Sequence, residues 1–243
     1  MTNKALIAMS GGVDSSVAAF LTKDMGYDAT GITLKLFDNE DIGEKREKTC
    51  CSLDDIDDAR RVCLKLGIPY YVYNFKDSFK ENVIDRFIKA YENGTTPNPC
   101  IDCNRFIKFE KLIRRAEELD FDCVVTGHYS TIEYDKGADR YLLKKSVDST
   151  KDQSYVLYCL TQRQLAKTLL PLGTYTKEKV REIANELGLI NARKHDSQDI
   201  ALFPTGTMQN SLNSTRAELI LTVILLIPKV IFSVNTRELS VTP

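Results

Sequence analysis

Two short strings in this sequence hold residue types and spacings that can do chemistry. The first is Ser10-Gly11-Gly12-Val13-Asp14-Ser15-Ser16, directly behind a short apolar stretch. Paired glycines let a backbone turn sharply and bring its N–H groups up to an anion. Ser15 and Ser16 then open a helix-like segment, whose unpaired N–H groups and positive dipole end favour phosphate. A plain helix cap uses the same residue types; what distinguishes this string is its full length behind a strand. It is neither the Walker sequence nor the dinucleotide Gly-x-Gly-x-x-Gly.

The second string is Pro97-Asn98-Pro99-Cys100-Ile101-Asp102-Cys103-Asn104. It sets a C-x-x-C just ahead of an expected helix, where the helix end favours a thiolate. Such a thiolate can attack, carry sulfur or form a disulfide with its neighbour. Other readings are half of a zinc site, an iron–sulfur ligand pair and a structural role, but no second C-x-x-C or close His pair stands out in the sequence. Cys63, Cys123 and Cys159 read as structural, and Cys50-Cys51 as incidental.

The elements that must position these strings follow from patterning. The first 130 residues alternate strand-like and helix-like segments, the pattern of a parallel twisted sheet with helices on both faces, a Rossmann-like α/β fold. Strands are expected at Ala5 to Met9, Asp28 to Phe37, Pro69 to Asn74 and Cys123 to Thr126. Helices are expected at Ser15 to Met25, Leu53 to Leu66, Lys76 to Tyr91 and Arg105 to Leu119. The charged stretch from Asp38 to Lys48 reads as a mobile loop. Asp135-Lys136-Gly137 marks a hairpin between Ser130–Tyr134 and Arg140–Lys145. A short helical or irregular region follows, with helices at Asp152 to Leu169 and Thr176 to Leu187, the latter closed by Gly188. Three regions result: 1–145 for the nucleotide, 146–203 as a helical extension and 204–243 as a divergent tail.

Composition restrains the function. With 33 basic and 34 acidic residues the formal charge is -1, so RNA affinity has to come from local patches. One candidate patch is Lys108, Lys111, Arg114 and Arg115, although a solvated helix face explains it equally. Seven cysteines make an odd count, and the N-terminus lacks a signal-peptide pattern. Together these favour reduced thiols in the cytoplasm. The apolar run from Leu219 to Ile227 is short for a membrane span of about 20 residues. A packed or poorly ordered tail is the expectation there, with no membrane partner.

The glycine string resembles the loop of the ATP-pyrophosphatase superfamily, whose form is Ser-Gly-Gly-x-Asp-Ser-Ser. Further strings narrow the resemblance: Thr96-Pro97-Asn98-Pro99, Cys103-Asn104, Ile107-Lys108-Phe109, Thr126-Gly127-His128-Tyr129, Lys151-Asp152-Gln153-Ser154-Tyr155 and Asp196-Ser197-Gln198-Asp199-Ile200. In this order and spacing, over residues 4–200, the chain resembles the tRNA-specific 2-thiouridylases. The resemblance implies an adenine-nucleotide α-hydrolase-like fold. It implies ATP binding by Ala8, Met9, Ser10, Gly11, Gly12, Val13, Asp14 and Ser15, with Asp14 near magnesium. Leu34 would lie by the adenine, and Gly127 would give close backbone approach. Asn98, Pro99 and Cys100 would contact the target base, and Lys151, Asp152 and Gln153 would meet the tRNA. Cys103 matches the nucleophile. The implied partners are ATP with magnesium, tRNA with a wobble uridine, and a cysteine desulfurase or sulfur-relay protein. No tightly bound cofactor is expected. His128 reads equally as functional or as a strand-end histidine satisfied by a hydrogen bond, and His195 as a surface residue.

There is one departure. The second catalytic cysteine of the family, which bears the persulfide, falls at Ala201 here. The central and C-terminal domains of full-length members have no counterpart after it. Either Cys100 stands in for the lost thiol, or the chain is a shortened version with an intact ATP site and little thiolation. Two rivals remain: an amide-forming ligase of the same superfamily, and a non-catalytic nucleotide- or RNA-binding remnant.

Overall fold

The computed structural model describes residues 2–37, 53–95 and 97–194. Five strands form one parallel sheet: β1 (Lys4–Ala8), β2 (Asp28–Lys35), β3 (Tyr70–Asn74), β4 (Cys123–Val125) and β7 (Thr168–Leu169), in the order β3-β2-β1-β4-β7. Strand β5 (Ser130–Asp135) pairs antiparallel with β6 (Arg140–Lys145) as a separate hairpin. Its turn is pinned where the Gly137 N–H donates to Asp135 Oδ1 at 2.8 Å.

Alternation along β1 divides the interior in two. Leu6 faces a core with Ile32, Leu34, Phe87, Ile107 and Phe109; Ala5 and Ile7 face one with Val17, Ala59, Val62 and Cys63. Burying each of the larger side chains contributes about 1.5–3 kcal/mol. The second core is closed by α1 (Val13–Asp24), which is buried on most of its circumference, and by α2 (Leu53–Leu66) and α8 (Lys177–Glu186), both amphipathic at helical spacing. Packing there is tight: a Cβ on Gly31 of β2 would lie 2.5 Å from Cys63 Sγ of α2.

The first core is closed by two irregular helical rods. One runs through α3 (Lys76–Phe79), a π-helical stretch at Lys80–Ile84 and α4 (Asp85–Glu92). The other runs through α5 (Pro99–Asp102), a π-helical stretch at Cys103–Lys111 and α6 (Leu112–Glu118). This second rod starts six residues before the Arg105 expected from periodicity. Asn98 caps it, its side chain accepting from the Cys100 N–H at 2.9 Å, and Pro99 occupies the first turn. The C-x-x-C therefore lies inside the helix rather than ahead of it.

The helix expected from Asp152 to Leu169 is also corrected. The chain forms a short 3-10 turn at Ser154–Val156, α7 (Gln162–Ala166) and then β7, which extends the main sheet beside β4. A capping box at Thr161 and Gln164 starts α7 afresh, which breaks any continuous helix. Helix α8 ends as expected, with Gly188 at φ 58°. Among the described residues no helix is long and apolar enough to cross a membrane. The expected loop at 38–48, Cys50-Cys51, His195, Ala201 and the 204–243 tail lie outside the described residues.

Candidate functional site

Strand order changes direction at β1. The chain leaves β1 for β2 and β3 on one side, then returns as β4 on the other. In open parallel sheets the crevice at the carboxyl ends flanking such a point accepts ligands. Two loops meet there: Met9–Gly12 after β1, and Thr126–Tyr129 after β4.

The first loop is built around Gly11. Its φ is 73°, and a Cβ on it would lie 2.3 Å from the Asp55 carbonyl oxygen, so only glycine fits. Gly12, at φ -86°, adopts an ordinary conformation and forms the N-cap of α1 without a side chain to cap it. The amides of the first turn of α1 therefore meet the crevice with no side-chain cap, the arrangement that suits an anion. Serines brace the turn. Ser15 Oγ accepts from the Ser10 N–H at 3.2 Å and donates to the Gly12 carbonyl at 3.1 Å; Ser16 Oγ donates to that carbonyl at 2.9 Å. Ala8 and Met9 lead into the turn, Val13 anchors it in the α1 core, and Leu34 is buried in β2.

Gly127 presses on this turn from β4: a Cβ there would lie 2.8 Å from both the Asp14 carbonyl carbon and the Ser15 nitrogen. Its glycine is thus explained by backbone packing against α1. His128 is buried, its Nδ1 hydrogen-bonded to Thr126 Oγ1 at 2.8 Å and its ring 5.9 Å from that of Phe109. Burial first, and the nearby Lys108 second, hold its pKa well below the usual histidine value, so the ring is neutral. Through this contact the β4 loop touches the rod that carries Cys100 and Cys103.

Asp14 is engaged within the protein. Lys177 Nζ reaches both carboxylate oxygens, at 2.7 and 2.8 Å, and the Tyr129 hydroxyl donates to Oδ1 at 2.7 Å. Among the described residues no group of three or more His, Cys, Asp or Glu side chains is arranged to hold a metal. Lys177 was invisible to motif reasoning, because a lysine at the start of an amphipathic helix gives no signal of its partner 163 positions away.

Cys103 is 2% exposed and packs in the first core, while Cys100 is half-buried. Both are thiols rather than a disulfide. The remaining described cysteines are insulated. Burial pushes the Cys63 thiol up to about 12 and Cys123 to about 11, and raises Cys159, so none of these is a thiolate at neutral pH. Asp152 and Gln153 are bound inward. Asp152 Oδ1 accepts from the Ser146 N–H at 2.9 Å, and Gln153 Oε1 accepts from the Tyr129 N–H at 3.0 Å. Lys151 is half-buried beside them. In the basic run, Arg114 and Arg115 pair with Glu118 and Lys111 reaches Ser78, so these charges serve the helix and its neighbour.

A family model described as the tRNA methyl transferase HUP domain matches residues 3–205. The chain is 56% identical over 200 residues to a tRNA-specific 2-thiouridylase of Clostridioides difficile, covering 82% of this chain and 55% of that protein. It is 53% identical over 204 residues to the tRNA-specific 2-thiouridylase of Clostridium kluyveri, covering 84% and 57%. The chain thus spans little more than half the length of the curated relatives it matches. A solved 4-thiouridine synthetase, in complex with RNA and ATP, has a TM-score of 0.53 at 18% identity, over 83% of this chain and 45% of that one. That likeness concerns the fold.

Proposed function

The chain belongs to the family of the tRNA methyl transferase HUP domain, where its curated relatives are tRNA-specific 2-thiouridylases, and on that premise we propose that it adenylates a tRNA uridine for sulfur transfer. The observation that carries this reading is the uncapped first turn of α1, facing the crevice at the sheet's switch point behind a glycine-only corner.

ATP is the co-substrate. Its phosphates meet the first-turn amides of α1, which oppose the charge that builds on the leaving pyrophosphate. The uracil 2-oxygen attacks the α-phosphorus; an O–P bond forms, and the bond to the bridging oxygen breaks. The Cys103 thiolate attacks carbon 2 and displaces AMP, which takes the former 2-oxygen with it. Hydrosulfide, supplied as sulfide or released from the donor persulfide by a thiol reductant, then adds to carbon 2, and the bond to Cys103 breaks to return its thiolate. The 98–100 turn meets the target base, residues 151–153 meet the tRNA backbone, and a desulfurase or relay protein supplies the sulfur in the cytoplasm.

Ala201 favours a narrower second reading, in which adenylation is intact and sulfur has to be supplied from outside. Incubation with ATP, sodium sulfide and unmodified tRNA, read as 2-thiouridine by mass spectrometry, tests both. Product with sulfide supports the adenylation site. Absence of product and of pyrophosphate release overturns it.

A further inference from the structure

The turn at 148–153 is wired to the Asp14 carboxylate by two separate routes. In the first, the Gln153 N–H donates to the Tyr129 carbonyl at 2.8 Å, and Gln153 Oε1 accepts from the Tyr129 N–H at 3.0 Å. Tyr129 is 2% exposed, and its hydroxyl donates to Asp14 Oδ1 at 2.7 Å. In the second, the Lys177 N–H donates to Asp148 Oδ2 at 3.0 Å, and the same residue's ammonium holds both Asp14 oxygens. The two routes also touch each other, with Lys177 Nζ lying 5.7 Å from the centre of the Tyr129 ring. Within the turn, Asp148 Oδ1 accepts from the Thr150 N–H and hydroxyl at 3.0 and 2.6 Å, and the Lys151 N–H donates to the Asp148 carbonyl at 3.2 Å. The turn, Tyr129, Asp14 and Lys177 form a closed circuit of bonds that ends in the first turn of α1.

We infer that Tyr129 and Asp148 are positioning residues that couple RNA docking on the 148–153 turn to nucleotide binding at α1. The inference rests on the proposed function, because it takes the turn as the RNA contact and the α1 turn as the phosphate site. A docked strand that bears on the turn holds Gln153 and Asp148 in their bonded positions. They in turn fix the Tyr129 hydroxyl and the Lys177 ammonium on either side of Asp14. The phosphate turn then meets its ligand already set, so less ordering is left to the nucleotide. The coupling is reciprocal: whatever factor RNA lends to nucleotide affinity, the nucleotide lends to RNA affinity.

The test is four titrations on the full chain, using α,β-methylene ATP so that no turnover occurs, and an unmodified tRNA transcript. Each ligand is titrated alone and in the presence of the other. The wild type is expected to bind the analogue at least about fivefold more tightly with tRNA present, the lower bound of ordinary allosteric coupling. Tyr129→Phe removes one hydroxyl and keeps the ring. It is expected to hold each separate affinity within about twofold while the coupling factor falls toward one. Asp148→Ala cuts the other route at a half-buried site; it is expected to weaken RNA binding by itself, because it reshapes the docking turn, while the coupling factor, a ratio, again falls toward one, so the test survives if Tyr129→Phe folds poorly. A merely structural role would lower the melting temperature and leave the coupling factor unchanged. A wild-type factor of one, or full coupling in both variants, overturns the inference. Failure of the proposed function appears elsewhere, as no binding of the analogue when it is titrated alone.

Discussion

The side-chain amide of Asn191 donates to the Gly11 carbonyl at 2.9 Å and to Ser16 Oγ at 2.8 Å, across 180 positions of sequence. Beside it, Lys194 Nζ reaches Asp55 Oδ1 and Asp58 Oδ2, both at 2.6 Å, and the Gly11 carbonyl at 3.4 Å. The glycine corner is thus clasped from behind by the segment after α8. Burial opposes the charge on Lys194, but the two carboxylates outweigh it and raise its pKa, so the clasp is charged at neutral pH.

Asn191→Ala is expected to lower stability by about 2 kcal/mol, because two bonds from a buried amide are lost and the Gly11 carbonyl keeps only a long contact to Lys194. A urea denaturation midpoint measures this. Nucleotide affinity should fall as well, since the corner loses its brace. An unchanged midpoint would mean that the clasp is incidental.

The two loop glycines should separate by mechanism. Gly11→Ala puts a Cβ into the left-handed region and against the Asp55 backbone, and is expected to destabilise the fold by about 2 kcal/mol or more. Gly12→Val keeps an ordinary φ of -86° but places a branched side chain at a buried helix cap, so it should weaken ATP binding without the left-handed strain of Gly11→Ala. Calorimetric titration with ATP should show the affinity lost, while the thermal midpoint should fall less than in Gly11→Ala.

The alternation of short apolar runs with helical segments gave the α/β layering: β1 and β2 are near-continuous buried runs, as strands covered on both faces are, and α2 buries one face. The glycine corner was legible from the type and order of its residues. The start of the thiol rod was not: Asn98-Pro99 reads as a loop when proline is taken as a breaker, whereas here it is a cap followed by a first-turn proline. Strand β7 was missed because two residues carry no period. The bonds from Lys177, Asn191 and Gln153 were out of reach for another reason. They depend on which distant backbone groups the fold brings near, and no local pattern encodes that.

His128 predicts a pH dependence with a definite sign. Its folded pKa is depressed by burial, so in mild acid the unfolded chain takes up a proton that the folded chain refuses. Stability is therefore full above the unfolded value of about 6.5 and falls as pH drops below it, by up to about 1.4 kcal/mol per pH unit. His128→Gln cannot titrate. Urea midpoints from pH 7 to pH 5 should fall more steeply in the wild type than in the variant, and parallel slopes would show that the histidine is not the source.

The two cysteine positions of the proposed reaction can be tested as a pair. Cys103 is buried at 2% exposure among the side chains of the first core, away from the α1 face, so Cys103→Ala should cost about 1 kcal/mol and leave ATP affinity unchanged. Thiolation should vanish even with sulfide present if the thiol acts at carbon 2, and product from that variant would remove Cys103 from the reaction. Ala201→Cys restores the thiol that the resemblance places there. With a desulfurase and cysteine as the sulfur source, it should raise 2-thiouridine yield by about tenfold or more, corresponding to a barrier change of about 1.4 kcal/mol. With sulfide as the source, the two proteins should perform alike, because sulfide bypasses the persulfide. A flat result in both conditions would locate the limiting step in RNA docking, and the nucleotide titrations would then decide whether the α1 turn is working at all.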